Sequence, residues 1–140
     1  MKERALTTPN RFVAETRVQV RYAETDAMGI VHHASYIIYF EEGRSNYIRQ
    51  RGRSYADFER EGYYLAVTEV NARYVQAAVY DQVLRVRCWV EQMRSRGLTF
   101  AYEILDDKDQ LMVTGYSKHI CLDKAGNVAV IPEDWRLWDK

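Results

Sequence analysis

Glu24-Thr25-Asp26-Ala27-Met28-Gly29-Ile30-Val31-His32-His33-Ala34-Ser35-Tyr36 is the stretch whose reading decides how this chain folds. It joins a run of period two to a run of period 3.6, so it reads as the link between a strand and a helix. After Asp26 no acidic side chain occurs until Glu41, and Ala27, Met28, Gly29, Ile30 and Val31 make its surroundings apolar. A carboxylate so placed is expected to be poorly solvated, and therefore more basic and more reactive than one on an open surface. The helix that follows turns its free N–H groups back toward the same link. A reactive carboxylate facing an anion-stabilising helix start is the layout that acyl-transfer hydrolysis uses.

Upstream, residues 16–22 alternate, with Val18, Val20 and Tyr22 on one face and Arg17, Gln19 and Arg21 on the other. This predicts a half-buried strand. Downstream, Tyr36, Phe40, Gly43 and Tyr47 recur at helical spacing and predict a helix from 35 to about 51, roughly 25 Å long. Gly43 costs such a helix roughly 1 kcal/mol against alanine. That cost is reasonable if a sheet must approach the helix backbone there. Gly52 supplies the stop. A short helical segment over 55–61 precedes strands expected over 63–74, 83–93, 98–105 and 110–122, and one helical turn is expected in the tail from Pro132 to Trp135. The pattern predicts an α+β domain in which an antiparallel sheet of about five strands wraps one long central helix. Residues 1–140 read as a single domain, with about 1–13 as an N-terminal extension and about 128–140 as a C-terminal tail.

Bulk properties narrow the function. Lys+Arg and Asp+Glu both number 20, so the net charge is zero, which argues against binding nucleic acid or an acidic membrane surface by charge. No apolar run approaches the roughly 20 residues of a membrane span, and the first ten residues lack a signal-peptide core. Cys88 and Cys121 fall in strand patterns and read as buried thiols, so a cytoplasmic protein is expected. Adjacent His32 and His33 cannot share a helical face as ligands four apart do, and with His119 and no Cys-x-x-Cys they predict no metal site. Tyr36, Phe40, Gly43 and Tyr47 read as core. Glu41 and Arg44 read as a helix-surface pair or a positioning pair.

The order of strand, Asp-x-x-Gly-x-Val loop, long helix and antiparallel strands resembles the hotdog-fold acyl-CoA thioesterases. Within them it is similar to the 4-hydroxybenzoyl-CoA thioesterase family, particularly the branch found with the Tol-Pal cell-envelope system. Tyr22, Thr25, Asp26, Gly29, Val31, His33, Tyr36, Glu41 and Arg44 sit at family spacing, with looser similarity over 95–100 and at Tyr102 and Glu103. The resemblance implies that Asp26 is the catalytic carboxylate, attacking the thioester to give a mixed anhydride or deprotonating a water. It implies that the His33 N–H binds the carbonyl oxygen, that Tyr22 and the His33 side chain line the site, and that Gly29, Val31 and Tyr36 contact substrate. It further implies no cofactor beyond the coenzyme A of the substrate, and dimers, often paired into tetramers, whose sites are completed by the partner subunit. Arg94, Ser95 and Arg96, in a tight link between strands, then read as a cationic rim for the coenzyme A phosphates. Met28 departs from the family, which usually has a smaller residue there. Two other functions fit the same fold, an acyl-carrier-protein thioesterase and a non-catalytic acyl-CoA binder. Dehydratases of this fold need a differently placed His and acid, a pairing absent from this sequence.

Overall fold

The long helix forms where its apolar period requires, as α1 (Ser35–Gln50), burying Tyr36, Tyr39, Phe40, Gly43, Tyr47 and Ile48. Gly52 stops it in the left-handed region at φ 92°, a conformation that costs glycine nothing. α2 (Tyr55–Arg60) follows, opened by a reciprocal cap between Ser54 and Asp57. The computed structural model describes residues 11–139, so most of the expected N-terminal extension lies outside the described residues.

Among the described residues five strands complete the fold: β1 (Ala14–Gln19), β2 (Tyr63–Tyr74), β3 (Val83–Met93), β4 (Gly97–Leu105) and β5 (Leu111–Asp123). They form one sheet in the order β1-β3-β4-β5-β2, with every neighbour antiparallel. Val86, Cys88, Phe100, Tyr102 and Val113 face inward and bury themselves under α1. Burial of each large side chain contributes roughly 1.5–3 kcal/mol. This is the hotdog arrangement, a sheet wrapped around one helix.

Two glycines set how closely helix and sheet approach. A Cβ at Gly43 would lie 2.7 Å from Val86 Cγ1, so the sheet does press on the helix backbone there. A Cβ at Gly115 of β5 would meet the Phe40 ring at 2.8 Å and the Asn71 carbonyl oxygen at 2.2 Å. That missing methyl lets Phe40 stack flat on Tyr102, with ring centroids 4.2 Å apart.

Three details differ from the sequence reading. β1 ends at Gln19, and Tyr22 leaves the alternating face to start a 3-10 turn, Tyr22–Glu24. The turn is imposed by Glu24, whose carboxylate accepts hydrogen bonds from both the backbone and the guanidinium of Arg21. The tail forms a longer 3-10 helix than one turn, Glu133–Asp139, anchored by buried Trp135 against Phe58 and under the Arg53 guanidinium. Residues 27–29, expected to help dry the Asp26 carboxylate, are exposed, Met28 by 76%. Asp26 itself is half-buried. Cys88 and Cys121 are buried free thiols, and burial pushes both upward in pKa. Among the described residues no helix is long and apolar enough to cross a membrane.

Candidate active site

Between β1 and α1 the loop is held from beneath by a buried carboxylate. Glu24 accepts hydrogen bonds from the Arg21 N–H (2.8 Å), the Arg21 guanidinium (2.8 and 3.0 Å) and the Tyr39 hydroxyl (2.8 Å). Burial alone would raise its pKa, but the Arg21 amide, the Tyr39 hydroxyl and the Arg21 guanidinium together hold it below the ordinary carboxylate range. The Tyr39 phenol is raised in turn, first by burial and then by its bond to Glu24. The Glu24 carbonyl also accepts the His32 N–H at 2.8 Å, which fastens the far side of the loop.

On this base the Asp26 segment closes a turn. The Asp26 N–H donates to the Ile30 carbonyl (2.8 Å) and the Gly29 N–H to the Asp26 carbonyl (3.0 Å), with Gly29 at φ 81°. Asp26 Oδ1 accepts the Met28 N–H at 2.8 Å, a local bond typical of aspartate in turns. Asp26 Oδ2 accepts no hydrogen bond from any described residue.

The helix start shows a similar vacancy. The His32 N–H goes to Glu24, the Ala34 N–H to His32 Nδ1 (3.2 Å) and the Ser35 N–H to the His32 carbonyl (2.8 Å). Among the described residues the His33 N–H has no acceptor. Because a polar group without a partner is costly once water leaves, such an amide is suited to a ligand oxygen.

Both groups belong to residues lining one cleft of about 310 Å³, shared by Asp26, Ile30, Val31, His33, Tyr36 and Tyr74. Its far wall is the chain leaving β2, where the Ala78 carbonyl accepts the Val31 N–H and the Ala78 N–H donates to the Tyr36 hydroxyl at 3.1 Å. Tyr36 is therefore both core and cleft wall. Burial pushes its phenol upward in pKa, so it keeps its proton through neutral pH.

The remaining candidates lie elsewhere. Tyr22 is 76% exposed, packs edge-on against Tyr80 and does not line the cleft, and Gly29 shapes the turn without lining it. Arg94, Ser95 and Arg96 line a separate groove of about 500 Å³ with Thr68 and Lys118. Arg94 and Arg96 have no ion-pair partner among the described residues. Gly97 of that link pairs with Ile120, whereas Tyr74 at the cleft pairs with Val113 on the same strand. Those positions on β5 are roughly 23 Å apart at 3.3 Å per residue. Glu41 and Arg44 form a loose pair at 3.9 Å on α1.

Sequence reasoning missed Glu24 and Tyr74. Glu24 carried one local signal, Arg21 three residues earlier. The hydroxyl of Tyr74 donates to the His33 carbonyl at 3.1 Å across 41 residues of chain, and no local pattern announces such a bond.

A family model described as the thioesterase-like superfamily matches residues 20–138. The chain is 36% identical over 112 residues to the putative acyl-CoA thioesterase YneP of Bacillus subtilis, covering 80% of this chain and 81% of that one. Among solved structures, a hypothetical protein from Aquifex aeolicus superposes with a TM-score of 0.86 at 29% identity, covering 91% of this chain and 99% of its own. A DHNA-CoA thioesterase from Staphylococcus aureus gives 0.80 at 35% identity, covering 88% and 82%. Fold, cleft and matches together define a hotdog-fold thioesterase. The chain belongs to the thioesterase-like superfamily.

Proposed function

We propose that this protein hydrolyses acyl-CoA thioesters, with Asp26 as nucleophile or general base and the His33 N–H as the donor that stabilises the developing oxyanion. The observation that carries the reading is a pair of groups unclaimed by any described residue, Asp26 Oδ2 and the His33 amide, on residues that line one cleft. A thioester suits this equipment. Its carbonyl is electrophilic and its thiolate leaves readily, so a carboxylate and one well-aimed donor suffice without a metal. The names of the relatives, acyl-CoA and DHNA-CoA thioesterases, support coenzyme A as the carrier. Placement within the 4-hydroxybenzoyl-CoA thioesterase family rests on the Tyr22 to Arg44 spacing.

The basic link of Arg94, Ser95 and Arg96 enters this reading through a second copy of the chain. β2 is an edge strand, and Tyr64, Val67, Val70 and Tyr74 along it are exposed. An exposed edge of this kind, about half apolar and with no strand beside it among the described residues, is a template for another strand. Two β2 edges paired antiparallel would set the start of one beside the end of the other. The partner's Arg94 and the partner's Arg96 would then approach this chain's cleft, where they would meet the phosphates of coenzyme A. The active unit is thus a dimer at least.

The test is thiol release from a panel of aromatic, short branched and long aliphatic acyl-CoA substrates, beside the same acyl groups on a carrier protein. Turnover of acyl-CoA is expected. Turnover of carrier-bound acyl groups alone would replace the carrier in this reading, and binding of acyl-CoA without turnover would make the protein a binder. Dilution followed by sedimentation should show activity lost as the dimer dissociates, and an active monomer would refute the shared site.

A further inference from the structure

The His33 amide can act as an oxyanion donor only if its direction and its place are both fixed; the peptide before its Cα sets the direction, and the peptide after it ties the Cα in place. The peptide between His32 and His33 is anchored at its oxygen, which accepts the Ser35 N–H at 2.8 Å. In a planar trans peptide the N–H points opposite the carbonyl, so this bond aims the His33 N–H away from the helix. The peptide between His33 and Ala34 has two ties. Its N–H donates to His32 Nδ1 at 3.2 Å, and its oxygen accepts the Tyr74 hydroxyl at 3.1 Å. The first tie is to a side chain of the same loop that is itself exposed, so it moves with the loop. The second comes from the sheet.

Tyr74 is well placed to be the fixed point. It is the last residue of β2, and its backbone is paired with Val113. Its ring lies 5.5 Å from that of Tyr36, which the Ala78 N–H holds in turn. Its hydroxyl proton is already given to His33, so it is not free to serve as an acid for substrate.

We propose that Tyr74 is the positioning residue of the oxyanion site, clamping the His33–Ala34 peptide to the sheet so that the His33 N–H, aimed by the Ser35 bond, is held at the cleft. This rests on the acyl-CoA thioesterase reading. Without the hydroxyl the His33–Ala34 peptide keeps only its tie to the exposed His32 ring, so the loop that carries the His33 Cα shifts more freely against the sheet and the donor spends less time at the carbonyl oxygen. The effect falls on the transition state more than on substrate binding.

The experiment compares the wild type, Tyr74→Phe and Asp26→Asn by steady-state hydrolysis of one good acyl-CoA substrate. It adds binding of two inert analogues, a trifluoromethyl ketone whose hydrate imitates the oxyanion and a thioether with no carbonyl. Tyr74→Phe keeps the ring and should melt within a few degrees of wild type. Its kcat should fall about five- to tenfold, the scale of one neutral hydrogen bond, with KM within about twofold. The ketone should bind it more weakly by a similar factor and the thioether equally well. A folded Tyr74→Phe with wild-type kcat, or one that loses ketone and thioether binding alike, overturns the clamp while leaving the thioesterase reading intact. A wild type with no turnover on any acyl-CoA, no different from Asp26→Asn, overturns that reading and the clamp with it.

Discussion

Two polar clusters lie against α1, and they are treated in opposite ways. At the helix start, Asp26 Oδ2 and the His33 amide are left without partners among the described residues, beside a cleft. At mid-helix, polar groups are passed from hand to hand inside the core. Arg44 donates to the Tyr102 hydroxyl (3.5 Å), Tyr102 and Ser117 share a bond of 2.6 Å, and Ser117 meets His119 Nε2 at 2.7 Å. Tyr102, Ser117 and His119 are buried. Bonded to one another, the groups of the second cluster specify packing. The first keeps its bonding capacity for something that arrives from outside. A Ser–His pair at 2.7 Å would invite a catalytic reading on its own, yet its partners mark it as structure.

Substitutions should separate the two clusters. Asp26→Asn should lower acyl-CoA hydrolysis at least a hundredfold, equivalent to about 2.7 kcal/mol of barrier, with little change in melting temperature. Asparagine keeps an oxygen for the Met28 N–H, so the turn survives while the reactive carboxylate is lost. A folded Asp26→Asn that retains normal turnover would dissolve the distinction between the clusters.

The mid-helix cluster should answer to pH through stability instead. Burial first, then the Arg44 charge, pushes the His119 pKa from 6.5 down to about 4. The unfolded chain therefore binds this proton at a pH where the folded chain does not. The stability that neutral His119 provides is complete above pH 6.5 and is lost as pH falls toward 4. Between pH 6.5 and 5 the loss should reach about 1–2 kcal/mol, read as a falling urea midpoint. His119→Gln, which keeps a polar atom for Ser117, should flatten that segment. An unchanged slope in the variant would assign the proton to another group.

Much of the frame was legible because it is written in short-range periods. The helix from Ser35, the stop at Gly52, the strands from Tyr63 and Val83, and the close approach at Gly43 all follow from local spacing. The turn at Tyr22 was not legible, because alternation carries on through Arg21 while the bond between Arg21 and Glu24 bends the chain. Nothing near Glu24 in sequence except Arg21 marks it as buried, and its second side-chain partner, the Tyr39 hydroxyl, lies 15 residues away. Asp26 and His33 could be named from their loop. Their shared wall at Tyr74, Val75 and Ala77 depends on how the end of β2 returns to that loop, which no window of sequence contains. The position of Arg94 and Arg96 is similar. Sequence puts them in a turn, and only strand register shows that the turn lies at the opposite end of the sheet from Asp26.

Gly43 stands eight residues, about two turns, beyond the first residue of α1, and a single methyl added there would collide with Val86. The rod is therefore seated from its middle, and its front end inherits whatever bearing that seat allows. A change of one carbon atom, far from any reacting group, would swing the amide at the tip off its target much as a shifted fulcrum swings the end of a lever.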